Sequence, residues 1–211
     1  MEFNKYQKIP GPFKRATEGP NRNKVIVGDF TSEELEYLAE LNWIWTEKVD
    51  GTNVRIFWDG HKVSYGGRTD NAQLSVRLIT ALDALFTEEL FEQTFGETEV
   101  TLYGEGYGAG IQKGGNYRSD VSFVLFDINI GQYYLLRSDV EEIAGAMGLE
   151  VVPVVLRGSL RDAIETVQKG LWSAWSLEHP AEGLVGTTPM NLGDRHGRRL
   201  IVKVKAADYA A

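Results

Sequence analysis

The spacing of apolar residues changes along this chain, and each change predicts an element. Leu74, Leu78, Ala81, Leu82, Leu85 and Phe86 recur at helical intervals, predicting one long helix over roughly Asn71–Phe91. Trp43–Thr46, Asn53–Trp58, Val100–Tyr103 and Val121–Ile130 are rich in β-branched and aromatic residues and predict strands. Shorter strands are expected at Val25–Val27, Lys62–Tyr65, Tyr133–Leu136, Val151–Leu156, Gly183–Thr187 and Leu200–Lys205. Asp59-Gly60 is a hairpin signal, and Gly131 turns the preceding strand back. Thr31-Ser-Glu-Glu34 and Ser138-Asp-Val-Glu141 match capping boxes, one for a short acidic helix to about Leu41, the other for a helix closed near Gly148. Ser159–Gln168 is a further helix, stopped by Gly170. Hairpin-joined strands without regular βαβ alternation predict an α+β fold of largely antiparallel sheets with flanking helices. Residues 1–24, punctuated by Pro10, Gly11, Pro12, Gly19 and Pro20, read as irregular.

Composition narrows the chemistry. With 211 residues, 43% of them apolar, a single domain over 1–211 is expected. No apolar run approaches the roughly 20 residues that cross a bilayer, and the N-terminus has no signal-peptide core. A soluble, cytoplasmic monomer is the expectation. The chain has no cysteine, which excludes disulfides, thiolate zinc sites and a cysteine nucleophile. Its three histidines, His61, His179 and His196, are far apart, so a metal would be a hard cation held by carboxylates, water and phosphate. The net charge of −8 argues against bulk coating of nucleic acid. Yet residues 3–24 carry six Lys/Arg against one acid, and residues 195–205 carry five against none. These read either as solvated segments or as a basic strip for phosphates.

The sharpest local feature is Glu47-Lys48-Val49-Asp50-Gly51-Thr52-Asn53, a polar turn between two strands. Trp43, Trp45, Ile56 and Trp58 flank it, which predicts a turn at the edge of an aromatic pocket. A lysine becomes a nucleophile when desolvation or nearby positive charge lowers its pKa from about 10.4; otherwise it is a solvated surface amine. Downstream, in order, come Gly67-Arg68, Tyr103-Gly104-Glu105-Gly106, Phe123-Val-Leu-Phe126-Asp127, Ala181-Glu182-Gly183-Leu184-Val185 and Val202-Lys203-Val204-Lys205. That order resembles the covalent nucleotidyltransferases, the ATP-dependent ligases and messenger-RNA capping enzymes. The Glu-Lys-x-Asp-Gly-x-Asn form is most similar to nick-sealing RNA ligases, bacteriophage members included. The resemblance runs from Lys48 to Lys205 and implies the ATP-grasp-like adenylation domain of ligases.

The resemblance assigns roles. It implies that Lys48 attacks the α-phosphate of ATP and carries AMP, with Asp50 and Asn53 positioning phosphate and the RNA 3′-hydroxyl. Glu47 would read the adenine edge and Phe126 would stack on the base. Glu105 would accept from a ribose hydroxyl, and Arg68 would hold ribose or a 5′-phosphate. Lys203 and Lys205, on one face of a strand, would stabilise transferring phosphate and help depress the Lys48 pKa. Glu182 would hold Mg²⁺ or Mn²⁺. The implied partner is RNA with 3′-hydroxyl and 5′-phosphate ends.

Taken singly, every one of these residues has a plain structural reading. Val-Lys alternation marks any half-exposed strand, Phe126 fits a core, and Glu105, Glu182 and Arg68 fit a surface. Arg55 is out of register with the arginine of some DNA ligases and capping enzymes and reads as a strand residue. The run Gly104–Tyr117 fits a loose dinucleotide fingerprint, but no helix follows it to receive a pyrophosphate. It is expected to be a flexible loop, with Lys113 and Arg118 either contacting phosphate or merely connecting strands. The chain ends six residues after Lys205, so no oligonucleotide-binding (OB) domain is expected C-terminal to it, and the basic segments 3–24 and 195–205 become candidates for gripping RNA. A DNA ligase, a GTP-using transferase and a catalytically silent binding module remain alternatives.

Overall fold

A computed structural model describes residues 5–176 and 178–209, which form two compact units. The first contains Val49–Val152 and the described part of Met1–Gln7; the second contains Lys8–Lys48 and the described part of Pro153–Ala211. Among the described residues no helix is long and apolar enough to cross a membrane.

In order along the chain the strands are β1 Phe13–Arg15, β2 Val25–Phe30, β3 Trp43–Glu47, β4 Thr52–Trp58, β5 Val63–Gly66, β6 Val100–Tyr107, β7 Ser122–Ile130, β8 Tyr133–Tyr134, β9 Val154–Gly158, β10 Gly183–Thr187 and β11 Ile201–Lys205. The helices are α1 Glu33–Tyr37, α2 Val76–Leu85, α3 Glu88–Phe95, α4 Arg137–Met147, α5 Leu160–Gln168 and α6 Ala206–Tyr209. The first unit holds a five-stranded sheet in the order β5-β4-β6-β7-β8, and the second a four-stranded sheet, β11-β10-β3-β9, plus the β1-β2 pair. Every pairing within these sheets is antiparallel, as the hairpin-rich sequence predicts.

Alternation along β4 and β6 buries Val54, Ile56, Trp58, Val100 and Leu102 with Leu78 and Leu82 of α2, Phe91 of α3 and Ala144 of α4. The opposite face of the sheet carries Asn53, Arg55, Tyr103 and Glu105, the polar positions of the same strands. In the second unit Trp43 and Trp45 pack with Leu160, Ala163 and Val167 of α5 and with Val202 and Val204. The predicted aromatic pocket around the Lys48 turn is therefore overturned. Trp43 and Trp45 belong to one core, Ile56 and Trp58 to the other.

Gly104 marks how tightly β6 meets β7. A Cβ there would lie 2.1 Å from the Phe123 ring and 2.3 Å from the Val124 carbonyl oxygen. Gly104→Ala is expected to cost about 2–3 kcal/mol by overpacking, measured as a lowered denaturation midpoint at unchanged slope.

Several boundaries shift for identifiable reasons. The single helix expected over 71–91 is two, because the Thr87 hydroxyl accepts from Leu90 N and starts α3 afresh, as Ser75 does for α2. The first capping box is off by one: Ser32 caps α1, Thr31 donates to the Gly11 carbonyl, and the helix ends at Tyr37. The second is absent, since α4 begins after Leu136 with no side-chain cap. Ser159 and Asp162 form a capping box at α5. Residues 1–24 are not wholly irregular, because Phe13–Arg15 pairs with β2.

Candidate active site

Three backbone hydrogen bonds and one register bring a cluster of charged side chains together in the second unit. Lys48, just past β3, donates its N–H to the Gly183 carbonyl at 2.9 Å, and Ala206 N donates to the Glu182 carbonyl at 2.9 Å. Gly183 pairs with Lys205 across β10 and β11, and Lys203 N donates to the Pro10 carbonyl. Gly183 has φ 151°, and a Cβ there would meet the Val204 carbonyl oxygen at 2.1 Å, so only glycine admits this approach. As a result Glu182 faces two ammonium groups: Lys48 Nζ at 2.5 Å and Lys205 Nζ at 2.8 Å, one on each carboxylate oxygen. Lys203 lies on the same face of β11 as Lys205, with Val202 and Val204 buried behind.

Burial pushes Glu182 up, but hydrogen bonds and charge from Lys205 and Lys48 outweigh it and hold the carboxyl below the ordinary range. Folding therefore favours its ionised form. The resulting stability is present above the unfolded carboxylate range and is lost as pH falls through the lowered value.

Glu47, the last residue of β3, is 2% exposed. One carboxylate oxygen accepts from Ala174 N at 2.8 Å; the other, Oε1, is buried without a partner. Burial raises its pKa, against hydrogen bonds from Ala174 N and Ser173. A buried acceptor left unpaired costs free energy and calls for a donor. The loop that clasps it, Leu171–Trp175, gave no signal in the sequence, since a backbone N–H is supplied by any residue.

In the first unit Asn53 and Glu105 are directly opposite on β4 and β6. Asn53 Oδ1 is also buried and unpaired. Tyr103 pairs with Asp127 and Gly104 with Leu125, so Phe126 is the extra residue of a β-bulge. Beyond the bulge the core positions of β7 change parity, from Phe123 and Leu125 to Ile128. Phe126, out of step with Phe123 and Leu125, lies outside that core. Its half-buried ring meets the edge of Tyr6 at 5.1 Å, and the Tyr6 hydroxyl donates to Asp127. Asp50 N donates to the Tyr117 hydroxyl at 3.2 Å. Arg68 is exposed on the turn after β5.

Arg118 is engaged by its neighbours: its guanidinium pairs with Asp120 at 2.7 Å and Glu150 at 3.1 Å and lies over the Tyr107 ring. In the glycine-rich run Ile111 and Gly114 are buried, Gln112, Lys113, Gly115 and Asn116 are exposed, and residues 114–116 form a 3-10 turn. Some cations of the basic segments are paired with acids. Lys14 pairs with Asp29, Arg15 with Asp208 and Arg198 with Asp194.

The sequence profile of the RNA ligase family matches residues 41–205. The chain belongs to the RNA ligase family. Solved structures carry the same fold. A lysine-to-methionine variant of Naegleria gruberi RNA ligase with AMP and Mn superimposes with a TM-score of 0.66 at 16% identity, over 83% of this chain and 53% of that one. A lysine-to-alanine variant of the same ligase with ATP and Mn reaches 0.68 at 16% identity, over 99% and 62%. The same ligase with pyrophosphate gives 0.63 at 18%, over 81% and 51%. This RNA ligase family member thus spans about half to three-fifths of the length of those chains. No curated protein sequence matches it. The α+β, antiparallel nucleotidyltransferase fold expected from its motifs is the fold it has.

Proposed function

We propose that this RNA ligase family member joins RNA 3′-hydroxyl and 5′-phosphate ends at the expense of ATP, carrying AMP on Lys48. The observation that supports this most is the Lys48–Glu182–Lys205 cluster, in which a nucleophile, a carboxylate and a second cation converge within hydrogen-bond distance. In the first step Lys48 Nζ bonds to the α-phosphorus, the bond to the bridging oxygen breaks, pyrophosphate leaves and the amine loses a proton. In the second a 5′-phosphate oxygen displaces the lysine, and in the third the 3′-hydroxyl displaces AMP. Glu182, held ionised by two ammonium groups, is a weak base. It suits seating Lys48 and binding a cation better than removing the proton. Lys203 and Lys205 supply positive charge for the transferring phosphate.

The residues fit the nucleotide. The unpaired Glu47 Oε1 is an acceptor for the adenine amino group, and the unpaired Asn53 Oδ1 is an acceptor for a hydroxyl. Phe126 offers a ring for the base, while Glu105 and Arg68 serve ribose and phosphate. Among the described residues no cluster of three or more metal-ligating side chains occurs. Mg²⁺ or Mn²⁺ would accordingly be held by Glu182 with water and phosphate oxygens. Such a cation neutralises phosphate charge.

Radioactive label passing from the α-phosphate of ATP to protein, and from protein to 5′-phosphorylated RNA, tests the reading; label that never leaves ATP contradicts it. Glu47 gives a sharper check. Glu47→Gln places an amide donor where an acceptor stood, so it favours a 6-oxo over a 6-amino purine. Selectivity for ATP over inosine triphosphate is expected to fall by about 10–100-fold in kcat/KM of self-nucleotidylation. An unchanged ratio removes Glu47 from base recognition.

A further inference from the structure

Arg55 is fully buried, with no exposed side-chain surface. It lies on β4 opposite Gly66 of β5 on one side and Tyr103 of β6 on the other. Its Nε donates to the Gly67 carbonyl at 2.7 Å and its Nη2 to Asp70 Oδ1 at 3.0 Å. These acceptors bracket Arg68: one belongs to the residue before it, the other to the second residue after. Glycine leaves room for the approach. A Cβ on Gly66 would lie 3.2 Å from Arg55 Nη2, and one on Gly67 would lie 2.8 Å from the Ala72 Cβ. Asp70 is shared, since Lys5 Nζ reaches its other oxygen at 2.8 Å. Hydrogen bonds from Lys5 and then Arg55 hold the Asp70 carboxyl below its ordinary range.

Stability alone does not account for this arrangement. Burying a guanidinium against a half-exposed carboxylate gains little over an apolar side chain of similar volume. What an apolar side chain cannot do is fix two points of an irregular turn, which the planar fork does. Arg68 between those points is exposed, with no ion pair among the described residues.

We infer that Arg55 is a positioning residue acting through Arg68: it holds the Gly67–Asp70 turn so that the Arg68 guanidinium meets the substrate's ribose or phosphate in one orientation. This rests on the substrate-binding role given to Arg68 above. Lysine at position 55 keeps the charge and loses the two-point fork.

The test is a double-mutant cycle resolved by step, with self-adenylation by ATP and sealing of a nicked RNA duplex measured separately for Arg68→Ala, Arg55→Lys and the pair. Arg68→Ala is expected to lower kcat/KM of at least one step by about 100-fold, and Arg55→Lys to lower the same step by about 10-fold. The double variant should match Arg68→Ala within about twofold, because a residue that acts only through another adds nothing once that other is gone. Asp70→Asn, at an exposed carboxylate, is expected to show the same step selectivity at about threefold, and it carries the test if Arg55→Lys does not fold. Multiplying effects, or an equal loss in every step, overturn the inference and leave Arg55 a purely structural residue. If Arg68→Ala changes no step, the role of Arg68 itself fails, and the inference falls with it.

Discussion

Lys48→Ala is expected to lose ATP-dependent joining by at least about 10⁴-fold, while still joining RNA whose 5′ end is already adenylylated. The two halves of that result come from different bonds. Alanine has no nitrogen to displace pyrophosphate, so neither protein-bound AMP nor an adenylylated end is made. In the last step the attacking atom is the RNA 3′-hydroxyl and the leaving group is AMP, so no bond to Lys48 forms or breaks. Lys203, Lys205 and Glu182 keep their side chains, and Glu182 keeps Lys205 as a partner while losing Lys48. Lys48→Arg should behave like alanine in the first step, because a guanidinium does not deprotonate near neutrality. Assays with 5′-phosphorylated and preadenylylated RNA separate these effects. ATP-dependent joining by Lys48→Ala at even a tenth of the wild-type rate would assign the nucleophile elsewhere.

Glu182 has the second largest expected effect. Its two carboxylate oxygens each hold one ammonium, 2.5 Å from Lys48 and 2.8 Å from Lys205. Glu182→Ala removes the counter-charge and leaves two partly buried cations facing each other, and is expected to slow self-adenylation by about 10²–10³-fold. Glu182→Gln separates two causes. Glutamine can still accept a hydrogen bond from Lys48 but carries no charge for a lysine or a divalent cation. A glutamine variant as slow as alanine points to charge. Recovery to within a few-fold of wild type would reduce Glu182 to a hydrogen-bonding seat and remove it from metal binding.

Much of the fold was legible in the sequence because the signals were local. The β-prone runs read at Trp43–Thr46, Asn53–Trp58 and Leu200–Lys205 coincide with strands to within a residue, and the helix read over Ser159–Gln168 is α5, capped by Ser159. Lys48, Glu182 and Lys205, which the resemblance assigns to one site, are in contact. What was not legible was set by distant partners. Trp43, Trp45, Ile56 and Trp58 surround one turn in sequence yet fill two cores, since the spacing of apolar residues does not say which sheet a strand joins. The Phe126 bulge depends on register with β6, and a one-residue slip is invisible in an unbroken β-prone run. The helix expected over 71–91 kept its apolar stripe across a break, because Phe86 serves the core as a C-cap as well as it would inside a helix. Arg55 looked like a strand residue because Gly67 and Asp70, which give it a task, are 12 and 15 residues away.

The most direct measurement is intact mass after incubation with ATP and Mg²⁺ or Mn²⁺, on wild type and Lys48→Ala freed of bound nucleotide. The account predicts a gain of one AMP less one water on the wild type, lost again on adding 5′-phosphorylated RNA, and no gain on Lys48→Ala. A wild-type protein that stays unmodified with either metal, or a Lys48→Ala protein that gains the same mass, would contradict it.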